Sequence, residues 1–184
     1  MFKRIISLIF IFMLVGINND LLIVTAKPSL VFPNVELDNL KRVADFKLIT
    51  PSSVLSYKLE IKEPFPLILS QPVSKVRVHY FDESGHKYLF GIEEHKAIGY
   101  RINRVVTNID VGTGSSTTRT IVKDFKFNER GEKININGIE ARFEPWANHI
   151  PGGYLRWVQN DTYIEIDSGE LTKEEMIALA KTMK

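Results

Sequence analysis

Four histidines, His79, His86, His95 and His149, are the first residues to test for chemistry, because imidazole titrates near neutrality and ligates metals. They show neither the His-Glu-x-x-His spacing of a zinc-binding helix nor the i, i+2 spacing that sets two ligands on one strand face. Glu93 and His95 do lie two apart, but two ligands make no site, and Glu93-Glu94-His95 reads as a solvated strand end. Gly112-Thr113-Gly114-Ser115-Ser116 has the composition of a phosphate cradle. It lacks the Gly-Lys-Ser/Thr ending and precedes a strand rather than a helix N-terminus, so a mobile hairpin tip is expected. Ser115 fails the Gly-x-Ser-x-Gly pattern of a nucleophile elbow.

Paired carboxylates, the other route to acid–base work, occur at Glu93/Glu94, Glu174/Glu175 and Glu165/Asp167. Only Glu165 and Asp167 share a strand face, at about 7 Å, a spacing that inert strands also have. No catalytic, metal or cofactor set is therefore assigned. The remaining candidate is aromatic. Trp146, Tyr154 and Trp157 flank a loop containing His149, Pro151 and Gly152-Gly153. They serve either as core plugs or as a surface for an apolar ligand or protein partner.

The elements that position these residues are mostly strands. Ser74 to Phe81 alternates Val76, Val78 and Tyr80 with Lys75, Arg77 and His79, so one face is apolar and the other wet. Asp82-Glu83-Ser84-Gly85 turns the chain into a return strand, His86 to Ile92. A second hairpin joins Tyr100–Val111 to Thr117–Phe127. Asn137-Gly138, suited to a type I′ turn, joins Lys133–Asn137 to Ile139–Phe143. Tyr154–Gln159 and Thr162–Asp167 form the last hairpin. Thr172 and Glu175 then make a capping box, with Leu171 and Met176 as a hydrophobic staple, and open a helix whose apolar stripe is Met176, Ile177, Ala180 and Met183. A shorter helix is expected near Leu37 to Val43. The expected class is α+β: a strongly curved, half-barrel-like antiparallel sheet with the C-terminal helix packed on it.

The N-terminus carries an export pattern. Lys3 and Arg4 precede Ile5–Ile17, 13 residues without charge, and Val24-Thr25-Ala26 offers a small-residue cleavage site before Lys27. Residues 1–26 are read as a signal peptide or N-terminal membrane anchor, 27–40 as a lead-in, and 41–184 as one β-rich extracytoplasmic domain. Membrane contact is expected only through residues 1–26, if uncleaved. With no cysteine, the domain has no disulfide and no cysteine for lipid attachment, so it rests on its core. Removing residues 1–26 takes away Lys3, Arg4 and Asp20, lowering the formal charge from +2 to +1, too little for the clustered cations of nucleic-acid binding.

Several segments occur in a recognisable order. They are Ala44-Asp45-Phe46-Lys47-Leu48 with Pro51, Val76-Arg77-Val78-His79-Tyr80, Ile136-Asn137-Gly138-Ile139-Glu140-Ala141, Leu155-Arg156-Trp157, Tyr163, and Leu171-Thr172 onward to Ala180. Over roughly 41–184 the chain thus resembles the bacterial domain-of-unknown-function family numbered 4367. One departure is Ser53-Val54-Leu55-Ser56-Tyr57, which keeps the family's Tyr without its Pro and Gly. The resemblance implies an exported domain similar to the half-barrel of lipoprotein carriers, a curved sheet holding a helix in its concave face, and it supplies no catalytic residues. The expected role is a non-enzymatic binding or sensing module of the cell envelope, its partner an apolar ligand, a lipoprotein or a regulatory protein. A structural envelope protein without a ligand is the alternative, and a hydrolase a distant third.

Overall fold

The computed structural model describes residues 35–52 and 57–184. The expected signal or anchor, with its cleavage point at Ala26-Lys27, lies outside the described residues. Among those described, no helix is long and apolar enough to cross a membrane. Chain order is α1 (Val35–Val43), β1 (Lys58–Glu63), β2 (Lys75–Phe81), β3 (Tyr88–Lys96), β4 (Arg101–Ile109), β5 (Ser116–Asp124), β6 (Glu132–Ile136), β7 (Ile139–Pro145), β8 (Gly153–Gln159), β9 (Thr162–Ser168) and α2 (Lys173–Lys181).

Seven strands form one antiparallel sheet in the order β1-β2-β3-β9-β8-β7-β6, while β4 and β5 pair only with each other. The sheet is open, with β1 and β6 at its edges, so the expected α+β class holds. The jump from β3 to β9 is the organising feature. After β3 the chain leaves the sheet as the β4–β5 ribbon. It then crosses the outer face, where Phe125 and Phe127 pack on Tyr163 and Arg130 pairs with Glu144 at 3.1 Å. It enters the far edge as β6 and meanders back to β9.

Alternation along each strand divides the sheet into two faces. Val76, Val78, Tyr80, Phe90, Ile92, Leu155, Trp157, Ile164 and Ile166 point to one side and are buried there with Leu37 and Leu40 of α1 and Met176, Leu179 and Ala180 of α2. The capping box opens α2 as the sequence implies: the Thr172 side chain accepts from the Glu175 N–H, and the Glu175 carboxylate accepts from the Thr172 N–H. At the other end, Thr50 and Lys184 exchange backbone hydrogen bonds, tying the C-terminus beside Leu48 and Ile49.

Three expectations change. The helix near residue 37 begins at Val35, so the expected boundary at 40 falls inside α1. The strand expected to stop at Ile92 runs to Lys96, because β9 pairs along it as far as Lys96↔Thr162. Glu94 and His95 are consequently 3% and 2% exposed, not a solvated end. Strand β1, not distinguished in the sequence, pairs with β2 at the sheet edge.

Candidate functional site

Titratable chemistry collects on the outer face, away from the helices. Lys75, Arg77 and His79 of β2, Tyr88, Glu93 and His95 of β3, and Tyr163, Glu165 and Asp167 of β9 alternate with the core residues of the same strands. The registers Arg77↔Glu93↔Glu165 and His79↔Gly91↔Asp167 then bring together groups some ninety residues apart in sequence.

Two ion-pair clusters result. In the first, Arg77 donates to Asp167, whose other oxygen accepts from the Tyr88 hydroxyl at 2.8 Å. Arg77 Nε lies 3.3 Å from His79 Nε2, and Lys75 bridges Glu63 and Glu93 at 2.9 and 3.0 Å. Gly91 makes this geometry possible. A Cβ there would stand 2.7 Å from both the Arg77 guanidinium and the Tyr88 hydroxyl, so any side chain would force the cluster apart. In the second, Arg156 donates from Nε to Glu165 and from Nη1 to Glu144, both at 2.7 Å, and the Tyr163 hydroxyl donates to Glu165 at 2.7 Å.

These groups saturate one another. Burial, then Asp167, pushes the Tyr88 phenol up, and burial, then Glu165, does the same to Tyr163, so both stay protonated donors. Burial and the neighbouring Arg77 cation pull His79 down, leaving it neutral at pH 7. His95 is lowered by burial; its Nδ1 is 2.7 Å from the Lys96 carbonyl, and its ring stacks with Tyr100 and Tyr163. Each carboxylate already faces a cation or a hydroxyl, so the face holds charge in place. Among the described residues no three metal-ligating side chains converge.

The aromatic candidates separate. Tyr154 is half-buried on the outer face, 4.4 Å from the Trp146 ring and 4.7 Å beneath the Arg156 guanidinium. Trp146 Nε1 donates to the Ser168 carbonyl at 2.6 Å. His149 is exposed in the β7–β8 loop with φ 58°. Trp157 is two residues from Leu155 on the core side, fully buried, and cannot share a surface with Tyr154. The structure therefore joins Trp146 to Tyr154 and leaves His149 and Trp157 apart from that pair.

At the opposite end of the sheet from that loop, beyond Lys96, the β4–β5 ribbon projects as an arm. Its strands are nine residues each and pair through nine successive positions without a shift. The tip is organised around Asp110, which accepts from the Gly112, Thr113 and Gly114 N–H groups and donates its own N–H to Ser115. Within the tip, the Asp110 side chain supplies a local cap of the kind Asp makes in turns. Val105 is 65% and Ile109 68% exposed, and Ile102 and Val122 are also open to solvent.

Residues 68–183 match the family described as Domain of unknown function (DUF4367), more than half of the chain. The chain belongs to the DUF4367 family. No curated protein and no solved structure matches it. The matched DUF4367 region runs from the approach to β2 through α2, so the arm and, apart from Glu63 of β1, the outer-face clusters lie within it. Sequence reading found the wet face of β2 and the shared face of Glu165 and Asp167. It missed the role of Arg77, Tyr88, Arg156 and Gly91, because only the β2–β3–β9–β8 register brings them together.

Proposed function

We propose that this DUF4367 chain is an exported, non-enzymatic interaction module of the cell envelope, engaging a protein partner through the β4–β5 arm. The observation that carries the reading is the arm itself. Ordered strands with nearly every side chain exposed contribute little to the body's stability, and the aliphatic side chains left wet on them, Val105, Ile109 and Val122 on one face and Ile102 on the other, are apolar contact surface open to a partner. The N-terminal export pattern supplies the compartment. The outer-face clusters favour binding over catalysis, since their acids and bases are occupied with each other. An apolar ligand held between sheet and helix is less well supported: Met176, Leu179, Trp157 and Leu155 fill that space with side chains.

Site-specific photo-crosslinking in growing cells tests this, with the probe at Ile109 and, for comparison, at His149, together with protease added outside the cells. The expected result is a chain accessible to external protease and adducts formed from Ile109 but not from His149. A chain shielded in the cytoplasm, or adducts only from His149, contradicts the proposal.

A further inference from the structure

The arm has two open edges, and the backbone pairing fixes what each presents. The Phe125 N–H donates to the Tyr100 carbonyl at 2.8 Å, and the Asp110 N–H to the Ser115 carbonyl at 2.9 Å. In an antiparallel pair the hydrogen-bonded positions alternate, so the even-numbered residues of β4 face β5. Arg101, Asn103, Val105, Thr107 and Ile109 then turn their N–H and C=O groups outward, an unpaired edge nine residues long. Two of the usual protections of such an edge are missing, since β4 contains no proline and its register has no bulge; only the charges of Arg101 and Arg104 guard it, and among the described residues no other strand pairs with it.

We propose that the outer edge of β4 takes an extended, acidic segment of a partner polypeptide as a third strand, an inference that rests on the interaction-module reading. Charge sets the partner's chemistry. Between Ile98 and Lys126 the cations are Arg101, Arg104, Arg119, Lys123 and Lys126, against Asp110 and Asp124. The Asp110 carboxylate is committed to the tip, and Asp124 lies 3.9 Å from Arg101, leaving Arg104, Arg119 and Lys123 without an acidic partner within 4 Å. A second copy of the arm would bring the same cations and be repelled. A strand with carboxylates beside Arg101 and Arg104 and aliphatic side chains beside Val105, Val106 and Ile109 complements it, in the manner of strand addition at other sheet edges. The aliphatic residues also argue against a bilayer. Val105, Ile109 and Val122 lie on one face of the ribbon and Ile102, Val106 and Ile121 on the other, whereas a flat membrane surface takes one face only.

The test uses the full chain and a fluorescent peptide matched to β4 in length, with glutamate at the positions that face Arg101 and Arg104 and valine at those that face Val105, Val106 and Ile109, beside a control with lysine in place of glutamate. Binding is followed by fluorescence anisotropy and by amide hydrogen exchange. The glutamate peptide is expected to bind and to slow exchange at Arg101, Asn103, Val105, Thr107 and Ile109, leaving the inward amides of β4 unchanged. Asn103→Pro removes one outward N–H without touching the β4–β5 ladder and should weaken binding by about tenfold or more, whereas Thr120→Pro, on the outward edge of β5, should not. Arg104→Glu should shift preference toward the lysine peptide. The proposal is overturned if no peptide binds, if both peptides bind equally, or if binding protects none of the outward amides. It is also overturned if vesicles of anionic phospholipid bind the arm while the peptide does not, or if sedimentation shows arm-dependent self-association instead. Adducts at Ile109 that persist in cells with Asn103→Pro would retire strand addition while leaving the interaction module standing. Absence of those adducts with intact peptide binding would do the reverse.

Discussion

The outer face of the seven-stranded sheet and the β4–β5 arm both display cations on antiparallel strands, yet they use them in opposite ways. On the sheet, Arg77 and Arg156 are 20% and 6% exposed and each is held by two carboxylates within 4 Å. On the arm, Arg101 is 68% exposed and Arg104, Arg119 and Lys123 face water. The difference is layering. The sheet has helices on one side and the crossing segment Phe125–Gly131 over part of the other, so its polar groups are partly desolvated and must be paired. Among the described residues no layer covers either face of the arm, and its charges and aliphatic side chains remain available. Charges neutralised within the molecule stabilise it; charges left open select what it meets.

The largest effect that sharpens this contrast is expected in the core. Trp157→Ala removes a fully buried side chain and should cost on the order of 3–5 kcal/mol, lowering the melting temperature by roughly 10 °C. Scanning calorimetry would detect it, and a shift of only a degree or two would mean that Trp157 does not anchor the body.

Gly91→Ala comes next. The added methyl collides with Arg77 and Tyr88, and a loss of about 1–3 kcal/mol is expected in denaturant unfolding. An unchanged midpoint would remove the outer-face cluster from the stability of the body.

Glu94 gives an effect of opposite sign. It is 3% exposed on the core side, and burial holds its carboxyl well above the usual range despite the Ile49 N–H at 2.8 Å and the nearby Lys41. A carboxyl raised by folding contributes stability that is fully present below its unfolded value near 4.5 and is lost as pH rises through the folded value. Glu94→Gln keeps an acceptor for Ile49 and removes the charge. It should raise the melting temperature by about 2–8 °C near pH 8, with the gain shrinking to nothing in acid. A gain that grows on acidification would reverse the assignment. The smallest effect belongs to the arm: Val105→Ser and Ile109→Ser should each change stability by about 0.5 kcal/mol or less, read by the same denaturant unfolding as Gly91→Ala.

Much of the body was legible in the sequence. The alternation of Ser74–Phe81, the Asn137-Gly138 turn with φ 52° and 90°, and the Thr172/Glu175 capping box are local signals, and each appears where its residues put it. The hairpin around Gly112 was legible as a hairpin. That it projects was not, because projection depends on what fails to pack against it. The extension of β3 through Glu94 and His95 was hidden for a related reason: two polar residues are buried only because β9 returns beside them. The outer-face site was half legible. Strand periodicity sets Glu165 and Asp167 on one face, and the β8–β9 hairpin sets Arg156 opposite Glu165, but matching Asp167 to Arg77 requires the β3–β9 pairing, which crosses five intervening strands. Trp157 was legible by alternation, which sets it with Leu155 and opposite Tyr154, so grouping it with Tyr154 as one surface overrode the strand period.

Excising the arm tests the central claim most directly. Tyr100 and Phe125 are already hydrogen-bonded neighbours, so replacing 101–124 by a tight turn closes the chain without moving β3 or the crossing segment. Thermal unfolding of this variant beside the full chain should give melting temperatures within about 3 °C of each other, the body being held by its own core. A cooperative transition lost, or lowered by roughly 10 °C or more, would show that the arm is a structural part of the fold and not a surface kept for a partner.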